Sequence, residues 1–153
     1  MTKLESVCLI IAKSSKEPIS TLRLSLMVYL CDWKSSLFFK RKITEKEYRY
    51  QHHSIKDDIM DYIGHSIYFK FQHENIGAFK DKILLIPKNK NLETNLTEKE
   101  IAIINDIIKD FSELYFNDLL YYVSKTAPLT ENEIYATLDL EKTAINFQLK
   151  DST

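Results

Sequence analysis

The sequence predicts a mainly α, α+β fold: a compact helical domain with one small antiparallel β-hairpin. Three observations carry this. Apolar residues recur at spacings of three and four over two long windows, 19–39 and 97–125. The period drops to two in only one region, across 66–85. The chain has 153 residues, which suits one domain, taken as 1–150 with a polar tail at 151–153.

Residues 3–13 read as a first helix, broken by SSKEP, where Pro18 forces a turn. Residues 19–39 are the strongest helix, with Leu22, Leu26, Tyr29, Leu30, Trp33 and Leu37 in register and Val28 and Cys31 widening the stripe. A basic stretch, FFKRKITEKEYRYQHH, follows. In SIKDDIMDYI, Ile55, Ile59, Met60 and Ile63 again fall at helical spacing. Then Ile67, Phe69 and Phe71 alternate with polar neighbours, ENIG supplies a turn, and Phe79, Ile83 and Leu85 complete a hairpin that ends at Pro87. KNKNLETN is a polar loop. Thr97 and Glu100 form a capping box, after which Ile101, Ile104, Ile108 and Phe111 make one seam and Phe116, Leu119, Leu120 and Val123 the next. APL breaks the chain, Thr130 with Glu133 offers another cap, and a last amphipathic segment runs through Leu140, Ala144, Ile145 and Phe147.

Composition narrows the chemistry. Lysine and arginine total 21 against 22 acidic residues, so no global field draws the chain to nucleic acid or an acidic membrane. The only two glycines, Gly64 and Gly77, are too few for a Rossmann fingerprint, a P-loop or a kinase-type loop, whose amides must crowd round phosphate. A G-x-S-x-G elbow is also missing. Cys8 and Cys31 sit in apolar runs and read as buried, reduced thiols, which fits a cytoplasmic protein. VCLIIA is too short for a signal peptide, and LRLSLMVYLCDW carries Arg23 and Asp32, so no membrane span is expected.

The stretch YRYQHHSIKDDI, residues 48–59, concentrates the titratable groups. His53 and Asp57 would share one face of a helix, but His52 would point elsewhere, and two ligands fall short of a catalytic metal site. His65 and His73 lie too far apart along one strand to join one metal. Hydrogen bonding is the plainer role, and no metal or cofactor is expected. Asp57 and Asp58 diverge on a helix and suit its first turn. Asp32 stands out, a carboxylate in an apolar helix; a partner among Arg49, Lys56 or a histidine is expected. No nucleophile accompanies it, so no enzymatic role is assigned. Residues 38–56 mix cations with Phe38, Phe39, Tyr48 and Tyr50, which leaves a nucleic-acid-binding regulator as the alternative.

Several segments together resemble a known family. In ISTLRLSLMVYLCDWKSSLFFKRKIT, Tyr29, Leu30, Asp32, Trp33, Ile43 and Thr44 fit the opening of the Panacea domain, the SocA-like antitoxin family. His52 matches that family's histidine, although HSI stands where Tyr-Gly-Pro is usual. LTEKEIAIINDIIKDFSELYFNDLLYYVSKTAPL looks like its closing helix pair, and YATLDLEKTA like the tail of one subgroup. The resemblance implies a non-enzymatic antitoxin that neutralises a cognate toxin or effector protein by direct binding, in a toxin–antitoxin or phage-related defence locus. It also implies that EKEYRY is extended, whereas Thr44 and Glu47 as a capping box would make it helical; we expect it extended. Interface hot spots are enriched in aromatic and arginine residues, so Tyr48, Arg49, Tyr50 and His52, with Phe39 and Arg41 nearby, are the expected partner-binding residues. Asp32 and Trp33 are expected to support the loop. Self-association stays open.

Overall fold

The computed structural model describes residues 1–75 and 81–151. The chain runs α1 (Lys3–Ser14), β1 (Ile19–Ser20), α2 (Thr21–Phe39), β2 (Tyr48–Gln51), β3 (Ser54–Ile55), α3 (Ile59–Ile63), β4 (Phe69–Asn75), β5 (Asp81–Pro87), α4 (Glu98–Phe111), α5 (Phe116–Ser124), α6 (Ala127–Thr130), β6 (Thr137–Leu138) and α7 (Leu140–Asp151). The architecture is mainly helical α+β, as the periodicities predict.

α2 is the axis of the core. It starts at Ser20, whose hydroxyl accepts from the Arg23 amide, and stops where Lys40 turns left-handed at φ 60°. A helix apolar on nearly every side must be covered on every side. Accordingly α1, α4, α5 and α7 all pack on it. The exceptions lie at its ends, Leu22 in the first turn and Phe38 and Phe39 in the last, all exposed. α4 begins with the expected Thr97–Glu100 capping box, but it buries Ile103, Ile104, Ile107 and Phe111, with Ile101 and Ile108 flanking.

The β structure exceeds one hairpin. β4 and β5 pair antiparallel from Phe69–Pro87 to Asn75–Asp81, and β1 adds to the far side of β5 through Ile19–Leu85. The turn between them, with Gly77 and Phe79, lies outside the described residues. A second three-stranded sheet has the order β3-β2-β6.

Three local expectations are corrected. The helix through Ile55 begins only at Ile59: Ile55 is a strand residue, because the Lys56 amide is taken by the Arg49 carbonyl at 2.8 Å. APL does not end helical structure but forms α6, where Pro128 occupies the first turn and its missing N–H costs nothing. Thr130 then closes α6 instead of capping a new helix. α7 is started by Asp139, whose Oδ1 accepts from the Lys142 amide at 3.0 Å.

Candidate partner-binding site

The site is built outward from Asp32. This carboxylate is fully buried on α2, and an unpaired charge there would be strongly destabilising. Four donors meet it. The Ile43 and Thr44 amides reach Oδ1 at 2.8 and 2.9 Å, and the Thr44 hydroxyl and Tyr48 phenol reach Oδ2 at 2.5 and 2.7 Å. None of Arg49, Lys56 or a histidine is involved, contrary to expectation. The partners instead come from the segment that follows α2, which Asp32 thereby pins to the helix. Burial pushes the Asp32 carboxyl up, while the Thr44 and Tyr48 bonds and the Lys42 charge pull it back. The Tyr48 phenol is raised in turn, by its own burial and then by the carboxylate it faces, so it stays a donor.

The same bonds decide the conformation of 44–47. The Thr44 hydroxyl is engaged by Asp32, so no capping box with Glu47 forms and the segment stays non-helical. Thr44, Lys46 and Tyr48 turn inward while Glu45, Glu47 and Arg49 face out. Lys46 is therefore buried. Its Nζ donates to Asp58 Oδ1 at 2.6 Å and to the Glu47 carbonyl at 3.2 Å, and it lies 4.4 Å from the Tyr48 ring centre and 5.1 Å from that of Tyr62. Lys42 donates to the Lys46 carbonyl. Beneath, Tyr48 meets Tyr29 edge-on at 5.3 Å, and the Tyr29 hydroxyl sits 2.7 Å from Thr126 Oγ1.

On this foundation stands the outer face of the β3-β2-β6 sheet. Arg49 is flanked by Lys56 on β3's side and by Thr137 on β6. All three are exposed, and with Glu47, Asp58 and Tyr62 they line a polar cleft of about 180 Å³. His52 and His53 form the two-residue turn from β2 to β3, with His52 at φ 58°. Tyr135 also has a positive φ, 70°, and its amide donates to the Tyr50 carbonyl at 2.7 Å.

The expected binding residues are thus divided. Arg49 and His52 are exposed on this sheet, and Tyr50 is half-buried, turned toward the core. Tyr48 is corrected: 2 % exposed, it is a strut under the sheet, and although it borders the cleft it offers a partner almost no surface. Phe39 and Arg41 lie at the end of α2, where Lys99 stands 5.7 Å from the Phe39 ring, and neither lines the cleft. Trp33 supports α7 through a 6.2 Å edge contact with Phe147. Sequence reasoning missed Lys46 as an inward residue. The alternation T-E-K-E-Y-R carries the signal, but a lysine is almost never fully buried unless paired.

Among the described residues no three His, Cys, Asp or Glu side chains are grouped to hold a metal ion. Cys8 and Cys31 are buried free thiols, and burial raises both well above the ordinary range, which disfavours the nucleophilic thiolate. No described helix is long and apolar enough to cross a membrane.

No family model, no curated protein and no solved structure matches this chain.

Proposed function

We propose that the chain is an antitoxin-like binding protein of the cytoplasm that neutralises a cognate toxin or effector protein by covering it, with the β3-β2-β6 sheet as its docking face. One observation carries this reading: an exposed arginine sits on a short strand fixed from below by the Asp32 network. Such anchoring preorganises a contact residue and lowers the ordering cost of association. The left-handed His52 beside it adds support, since strained backbone away from glycine clusters at functional surfaces. The ordered resemblance to SocA-like antitoxins points the same way, as do two free thiols that suit a reducing compartment.

The competing nucleic-acid reading needs a continuous cationic track along 38–56. Four cations of this region and of the helix before it are engaged within the chain, and Arg41, Arg49 and Lys56 stay exposed. Lys34 pairs with Asp106 at 3.3 Å, Lys40 bonds the Leu37 carbonyl, Lys42 folds onto Lys46, and Lys46 pairs with Asp58. That dispersal favours a protein partner. Co-expression with the neighbouring open reading frame is the test. We expect growth rescue from a toxic neighbour; a neighbour whose toxicity persists at equal expression overturns the reading.

A further inference from the structure

Across the docking face, Thr137 on β6, Arg49 on β2 and Lys56 just past the end of β3 stand in one row. Directly opposed like charges on a sheet face repel and are destabilising. Here the Lys56 amide bonds the Arg49 carbonyl, so the two cations are direct cross-strand neighbours. Neither side chain has a hydrogen bond or ion pair among the described residues. Of the two carboxylates that line the cleft, Asp58 is already bound to Lys46 at 2.6 Å, and Glu47 forms no ion pair with either cation. Thr137 adds a hydroxyl beside Arg49, and the Tyr62 hydroxyl lies at the opposite wall, 3.4 Å from the Glu47 amide.

We propose that this row is an anion site that receives a single carboxylate, from an aspartate or glutamate on an acidic segment of the partner protein. The inference rests on the docking reading above and names the chemistry of that partner. The guanidinium of Arg49 offers a planar fork that matches a carboxylate in two parallel bonds, Lys56 supplies a second charge, and Thr137 a neutral donor. A carboxylate is favoured over a run of phosphates by the rest of the cleft. Glu47 lines it too, and its carboxylate repels the neighbouring charges of a polyanion. The chain's formal charge of -1 adds no attracting field.

The test has two arms. In the first, a fluorescein-labelled hexapeptide with one glutamate among five glutamines, hexaglutamine and hexathymidylate are titrated with the full chain at about 20 mM salt, where screening is weak. The single-glutamate peptide should bind at least about tenfold more tightly to the natural chain than to an Arg49→Gln/Lys56→Gln variant, the size expected for losing charge-assisted bonds. Hexaglutamine should not bind. Equal binding of the single-glutamate peptide to chain and variant, or tighter binding of hexathymidylate, overturns the proposal. Both changes are on exposed side chains, and an unchanged circular dichroism spectrum and melting temperature verify the variant's fold. In the second arm, growth rescue compares the same two proteins. Rescue by the natural chain and not by the variant supports the site. Equal rescue by both overturns the site and leaves the antitoxin reading standing. Rescue by neither, with binding of the single-glutamate peptide still dependent on Arg49 and Lys56, overturns the antitoxin reading and leaves the site.

Discussion

The two sheets have the same number of strands and opposite means of support. In β1-β5-β4, the hairpin strands are neighbours in sequence and share seven register pairs. Their inner face is apolar, with Phe69 and Leu85 buried and Phe71 packed against the core. In β3-β2-β6, each pairing spans two register pairs, and β6 comes from a segment far along the chain. Beneath it lie Asp32, Thr44, Lys46 and Tyr48, all buried and polar. The first sheet holds itself by ladder and burial. The second is held by side-chain bonds to α2, which places Arg49 accurately at the expense of local stability. A surface meant to be bound gains from that arrangement.

Substitutions should separate the two modes. The largest effect belongs to Asp32→Ala. It orphans four donors at once, and each buried unsatisfied group costs about 1–3 kcal/mol, so a loss of roughly 4 kcal/mol or more is expected in urea unfolding. Leu85→Ala, in the other sheet, should remove about 3 kcal/mol by opening a cavity in a fully buried site. Hydrogen exchange sharpens the contrast. Asp32→Ala should deprotect amides of 43–58 and spare those of β4 and β5, and Leu85→Ala should do the reverse. Uniform loss in both would mean that the sheets open as one unit.

Next in size is the buried ion pair. Lys46→Met keeps most of the stem but leaves Asp58 without its cation, at a cost of roughly 2 kcal/mol, discounted because Asp58 keeps some contact with water. Adding Asp58→Asn should recover most of that loss. A double-mutant cycle with no coupling would show that Lys46 is held by its two aromatic neighbours alone.

A smaller effect is pH-dependent. Burial raises the Asp32 carboxyl in the folded chain, so folding favours its protonated form. That contribution is complete below the ordinary aspartate value of about 3.9 and is lost as pH climbs through the raised folded value. Asp32→Asn can keep the amide bonds on Oδ1 and has no proton to lose. Its stability relative to the natural chain should therefore increase from pH 4 toward neutrality. A decrease would show that the four donors outweigh burial.

The fold was legible where one periodicity runs long enough to be read. α2, α4 and the β4–β5 hairpin announce themselves by spacing, and Thr97 with Glu100 by its cap. The second sheet was not legible, because its strands are too short to show a period and its support is non-local. Asp32 was conspicuous as a lone carboxylate among apolar residues, but its partners lie 11 to 16 positions ahead in a segment whose own signals pointed to a helix. Tyr48 was assigned to the surface on residue type, since nothing local distinguishes an inward tyrosine from an outward one. Arg49 is exposed because its two inward neighbours, both expected at the surface, fix its face.

The smallest expected effect lies at the hairpin tip. His52 holds φ 58°, a region that costs an L-residue about 1–2 kcal/mol and costs glycine little. His52→Gly should therefore stabilise the chain, by roughly 0.5–1 kcal/mol once the greater freedom of glycine in the unfolded chain is counted, which moves the melting temperature up by about 2–4 °C per kcal/mol. The apolar-backed sheet contains no such residue among its described strands, so no equivalent gain is available there. If His52 is also a contact residue, the more stable variant should bind its partner less well. A gain in stability with undiminished binding would mark the turn as tolerated strain and confine the docking surface to the strands.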